Sequence, residues 1–208
     1  MISKRSPVRR TAAGAAAGAA ALVLAACGGN GDSSAGHDGH TTASPSASAS
    51  ASQGRHNAAD VAFAKGMIPH HRQAVEMADL APTRADSAQV KKLAEDIRKA
   101  QDPEIKTMSG WLTSWGEEVP ADGAMDHSMH GTSGRMSAEE MDKLKNSSGK
   151  AFDTAFMEMM IKHHEGAVAM AKTEQADGAY EPAKTMAAAI VTSQTSEITQ
   201  MNKLLGKN

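Results

Sequence analysis

The chain holds one cysteine in 208 residues, so neither a disulfide framework nor a cysteine-based zinc site can be built from it. Aromatic residues are nearly missing: three Phe, two Trp and one Tyr. Together with the lack of β-branched runs, this argues against a sandwich or a barrel. Neither sign of charge dominates, with 22 basic and 24 acidic residues and a formal charge of −2. There is thus no electrostatic footprint for nucleic acid. No Ser-His-Asp set, phosphate-cradling loop or nucleophilic cysteine suggests hydrolysis. Leucine is scarce. What the chain has instead is methionine, 14 residues of it. Met1 is the initiator, and all the others lie between Met67 and Met201. The length suits one domain or two small ones.

The first 27 residues read as an address. Lys4, Arg5, Arg9 and Arg10 form a basic region, and Thr11 to Ala26 is apolar and Ala-rich. That stretch is too short to span a bilayer comfortably. It ends in Leu24-Ala25-Ala26-Cys27, which looks like a bacterial lipobox. Cys27 is therefore the expected lipidation site, and the mature chain is expected to be extracytoplasmic and anchored to the cell membrane. Residues 1–26 hold four basic and no acidic groups. The remainder carries 18 basic against 24 acidic, a net charge of −6 that favours cations near the surface. Residues 28–57 are mostly Gly, Ser, Ala, Thr and Pro, as expected for a disordered tether. The tether carries one His pair, His37 and His40.

From residue 58 to the end the chain repeats itself at an offset of 93. Residues 60–78 and 153–171 share 11 of 19 positions. The same offset carries Ile97, Gln101, Glu104, Ile105, Met108 and Leu112 onto Ile190, Gln194, Glu197, Ile198, Met201 and Leu205. One constant offset means one internal spacing, as expected for a duplicated pair of helices with a fixed turn. The first copy spans 58–115, a loop 116–136 and the second copy 150–206. Within them, helices are expected from about Ala58 to Leu80 and from a capping-box-like Thr83–Asp86 to Trp115. A short helix opens on Ser137. Two more run from about Lys150 to Glu174 and from Pro182 to Gly206. Pro69 and Pro103 fall inside helices, where each removes a hydrogen bond and is expected to kink them. Short turns make neighbours antiparallel. The expected fold is all-α, a four-helix bundle of two duplicated αα-hairpins.

Helical spacing aligns Phe63, Met67, His70, Ala74 and Met77 in one stripe, with His71 at its edge. Ile97, Gln101, Glu104, Met108 and Trp111 form a facing stripe. The second copy repeats this with Phe156, Met160, His163, Ala167 and Met170, His164 following His163, against Ile190, Gln194, Glu197 and Met201. Burying a polar group without a partner costs about 1–3 kcal/mol. Two readings follow. In one, each His is bonded to a Glu across its hairpin as a core network. In the other, His and Met are metal ligands, with Glu165 beside His164 as a candidate acceptor that fixes an imidazole. Thioether sulfur is soft and selects Cu(I). The chain has no Glu-x-x-His of the di-iron bundles, so copper fits better than iron. Met125-Asp-His127-Ser-Met129-His130 adds two Met and two His in a Gly/Ser-rich loop with no helical face to bury.

The two Met-Ile-x-His-His-x-x-Ala-Val-x-Met-Ala segments, each followed by Gln-x-x-Glu-Ile-x-x-Met, resemble the domain-of-unknown-function family 305. The resemblance covers about Asp60 to Leu205. It implies a ferritin-like bundle, and copper binding outside the cytoplasm as in some members. It also implies one site lined by Met67, His70, His71, Met77, Glu104 and Met108. A counterpart would be lined by Met160, His163, His164, Met170, Glu197 and Met201. The leading expectation is a lipid-anchored protein that sequesters or transfers Cu(I), with affinity falling below about pH 6 as imidazole protonates. A ferritin-like metal-dependent oxidase is the alternative, although neither an open coordination position nor a substrate pocket is legible. A surface bundle that binds a protein partner and no metal is the third reading.

Overall fold

The computed structural model describes residues 54–121 and 134–207. Among these the secondary structure is helical, in the order α1 Ala58–Arg84, α2 Ala88–Ser114, α3 Ala138–Lys145, α4 Gly149–Asp177 and α5 Glu181–Leu204. Cys27, the tether with His37 and His40, and Met125, His127, Met129 and His130 lie outside the described residues.

Side-chain caps start several of these helices. Asn57 Oδ1 accepts from the amides of Ala59 and Asp60, and Asp60 accepts in return from the Asn57 amide, completing a capping box on α1. Ser137 and Glu140 do the same for α3. Pro182 sits in the first turn of α5, where its missing N–H costs nothing. α1 continues through Pro69 and Pro82, and α2 continues through Pro103.

One boundary differs from expectation. Thr83 does not open α2; it is still within α1, and the N-cap of α2 is Ser87. The reason is tertiary. Asp153 on α4 accepts from the amides of Asp86 and Ser87 and so fixes where the turn ends.

α1 packs along α2, α4 packs along α5, and α1 lies against α4 at the centre, so the four long helices form a bundle of two hairpins. α1 and α4 are antiparallel. Asn57 at the start of α1 donates to the Asp177 carbonyl at the end of α4. Gly66 faces Met170, and Ser87 reaches Asp153 near the start of α4. The contacts are reciprocal: Asp60 reaches residues 179 and 180, and Asp153, 93 positions later, reaches residues 86 and 87. Such i-to-j and j-to-i contacts are the signature of a two-fold relation.

Candidate metal centre

The apolar core of the bundle falls into two clusters. On α1, Phe63, Ala64, Met67 and Ile68 belong to one and Ala74, Met77, Ala78 and Ala81 to the other. The buried residues between them are His70, His71 and Gln73. The other long helices switch clusters in the same way. α2 changes at Gln101, α4 at His163 and His164, and α5 at Gln194. A polar layer therefore crosses the bundle, fed by all four long helices. The sequence folds so because each stripe keeps its helical spacing through the layer and changes only residue type.

At the centre the rings of His70 and His163 meet, with centroids 3.7 Å apart and planes inclined by 40°. These residues are 93 positions apart, so each is the other's counterpart. A two-fold relation brings like residues together only at its axis. On either side, His71 Nε2 lies 2.7 Å from Glu104 Oε2, and His164 Nε2 lies 2.6 Å from Glu197 Oε2. The candidate acceptor Glu165 is exposed and does not play this part; Glu197, from the neighbouring helix, does. A neutral imidazole donating Nε2–H to a carboxylate keeps its lone pair on Nδ1.

Those Nδ1 atoms of His71 and His164 are buried and have no hydrogen-bond partner among the protein atoms. The same holds for both ring nitrogens of His163 and for Oε1 of Gln101 and Gln194. Each such atom costs about 1–3 kcal/mol when left alone. A core designed only for stability would not repeat this in both halves. Burial, then the neighbouring His70, His164 and His71 and the guanidinium of Arg135, hold His163 well below the ordinary imidazole value. Held neutral, it keeps a lone pair on one ring nitrogen for a cation.

Sulfur lies on both sides of the layer, and the sets cross between hairpins. Met67 and Met108 share a cluster against which Met170 of the other hairpin packs. Met160 and Met201 share the second cluster with Met77, again from the other hairpin. The family resemblance implies a site in which Met77 joins Met67 and Met108. The antiparallel crossing of α1 and α4 instead carries it to the far side. Among the described residues no three His, Cys, Asp or Glu side chains form a group that could hold a metal ion. A site here would have to draw on the thioethers, a donor set that suits a soft cation.

The link between the hairpins is pinned at this level. Arg72 Nη1 donates to the carbonyls of Pro120 and Ala121. Gln73 grips Met136 with both ends of its amide, accepting from the Met136 N–H at 2.7 Å and donating to its carbonyl at 2.9 Å. Gly134, at φ +82°, lies on the backbone of α4, where a Cβ would run into the Lys162 carbonyl and come within 3.0 Å of the Gly166 Cα and the His163 carbonyl. Gln73, Gly134 and Gly166 have no assigned role on sequence grounds. Their signal is a departure from the repeat: Gln73 and Gly166 are counterparts of unlike type. Helical spacing puts Gln101 and Gln194 on the seam, and the structure adds them to the polar layer.

The family described as "Domain of unknown function (DUF305)" matches residues 60–205. A crystal structure of a putative secreted DUF305 protein from Streptomyces coelicolor is 36% identical, with TM-score 0.65, covering 72% of this chain and 91% of that one. CopM in its Cu(I)-bound form is 34% identical, with TM-score 0.58, covering 70% of this chain and 94% of that one. Its Cu(II)-bound form gives 35% identity and TM-score 0.61, covering 70% and 94%. A search of curated proteins finds no match. The chain belongs to the DUF305 family.

Proposed function

We propose that this protein is an extracytoplasmic, lipid-anchored copper handler that sequesters or transfers Cu(I) through Met and His groups. The observation that carries the reading is the buried layer of His and Gln with orphaned ring nitrogens, placed between two sets of thioethers. The likeness to CopM, solved with Cu(I) and with Cu(II), supports copper as the cargo. The likeness to a secreted relative supports a place outside the cytoplasm. Among the described residues no helix is long and apolar enough to cross a membrane. The anchor of this reading is the lipid on Cys27.

In this reading His70 and His163 hold the metal at the centre, with His71 and His164 beside them. Glu104 and Glu197 do not bind it directly; they orient His71 and His164 and raise their basicity. Met67, Met108 and Met170 serve one side of the layer, and Met77, Met160 and Met201 the other. Met125, His127, Met129 and His130 gather the ion from solution. The thioethers favour Cu(I) over harder cations.

A competition titration of Cu(I) against a chromogenic chelator tests this on the full chain carrying Cys27→Ser. Glu104→Gln with Glu197→Gln should weaken binding by about 10–100-fold, as loss of an orienting partner does. Met108→Leu with Met201→Leu keeps the volume and should also weaken it. Unchanged Cu(I) affinity in a variant lacking all four layer histidines, with helicity retained by circular dichroism, would sink the proposal.

A further inference from the structure

The chain has only two Trp and one Tyr, and all three lie together at one end of the bundle. Trp111 and Trp115 stack with centroids 6.2 Å apart, and Tyr180 stands edge-on to both at 5.6 and 5.3 Å. The three rings are half-buried and pack against the apolar cluster that includes Met67 and Met108. The frame does not demand them, because their counterparts 93 positions away are Leu204, Asn208 and Ser87. The other end of the bundle has no Trp or Tyr at all.

This is also the end at which the chain arrives from its N-terminal side. Gly54 lies against the Tyr180 ring, and exposed His56 stacks on Trp115 at 4.4 Å. Any segment running from Cys27 to the bundle must reach it here. Trp and Tyr, with an apolar body and a polar tip, are the side chains enriched where protein meets the lipid headgroup region. We propose that this aromatic end docks on the headgroup region of the membrane that holds the chain. The inference rests on the lipid anchor at Cys27 proposed above. Anchoring keeps the local concentration high, so a small patch suffices. Charge contributes little, since Lys65 at this end is paired with Glu117 at 2.6 Å. Docking through rings should therefore survive high salt.

Both tryptophans belong to the patch, so intrinsic fluorescence reads this surface alone. The lipidated full chain would be reconstituted on phosphatidylcholine–phosphatidylglycerol vesicles carrying bromine near the headgroups. A blue shift of the Trp emission, quenching by the brominated lipid and no loss of either in high salt are expected. Trp111→Leu should lessen the quenching of the remaining Trp115. If the chain floats with the vesicles while its Trp emission is unshifted and unquenched, docking is overturned and the anchor stands. If it does not float, and Cys27 carries no lipid by mass, both fall. A blue shift that grows with protein concentration without vesicles assigns the patch to a second copy of the chain and overturns the proposal.

Discussion

The turn between α1 and α2 and the turn between α4 and α5 are held by the same device. An Asp on the opposite hairpin accepts from two successive amides: Asp153 from Asp86 and Ser87, and Asp60 from Ala179 and Tyr180. Behind the clamp the two turns differ. In the first, Ala81 and Ala85 fill the space. In the second, the counterparts are Glu174, 1% exposed, and Gly178. A Cβ on Gly178 would run into both the side-chain carboxyl and the backbone carbonyl of Glu174. The second turn has thus exchanged a methyl group for a buried acid.

That acid sits against another. Burial first, then the hydrogen bond to Asp60 and the Asp60 charge, push Glu174 up to about 8, with Asp177 adding to the rise and Lys184 opposing it. Burial pushes Asp60 the other way from its net shift. The amides of Tyr180 and Asn57, the Glu174 carboxyl and the Ala179 amide outweigh it and lower Asp60 overall. One proton on Glu174 beside an ionised Asp60 relieves the repulsion between the two carboxyls. The comparison teaches that the clamp belongs to the shared frame, whereas titration was added to one turn only.

The largest effect should come from breaking the clamps themselves. Asp60→Ala strands three amides and the Glu174 proton, and should cost about 3 kcal/mol; Asp153→Ala strands two amides and should cost about 2 kcal/mol. Urea unfolding measures both, and equal costs would mean that Glu174 does not depend on Asp60. Next, Gly178→Ala should destabilise by about 1–3 kcal/mol through overpacking. Adding Glu174→Ala should recover the part due to the carboxyl, and the double variant carries the residues of the first turn. Simple additivity of the two substitutions would contradict the close approach. A further effect is confined to a pH window. Glu174 holds its proton in the folded state up to about pH 8 but releases it near 4.5 when unfolded. The folded state therefore binds more protons between these values, and stability falls as pH rises through them. Glu174→Gln should remove that slope. Thermal melts from pH 5 to 9 that keep it unchanged would assign it to another group.

The constant offset made much of the frame legible. Identities across the offset of 93 mark what the halves share: Asp60 and Asp153, the His pairs, Gln101 and Gln194, Glu104 and Glu197. These residues form the clamps and the polar layer. Departures mark where something asymmetric attaches. Gln73 and Gly166 receive the link between hairpins, and Lys162, in the place of Pro69, pairs with Glu140 of α3. Such departures show no purpose until the neighbour is visible, because the neighbour comes from a distant part of the chain. The start of α2 was misplaced for the same reason, since Asp153 lies 66 residues beyond the amide of Ser87 that it captures.

By itself the sequence determined the helices, their apolar seams and the residue types on each seam, because helical period and capping are local matters. It also determined that His and Met recur together. Only the tertiary structure decided that His70 and His163 meet at one centre, and that Glu104 and Glu197 hold histidines by Nε2. It likewise decided that each sulfur set takes a member from the opposite hairpin. Those outcomes depend on the antiparallel crossing of α1 and α4, whose register is set by contacts more than 60 residues apart and leaves no trace in any local pattern.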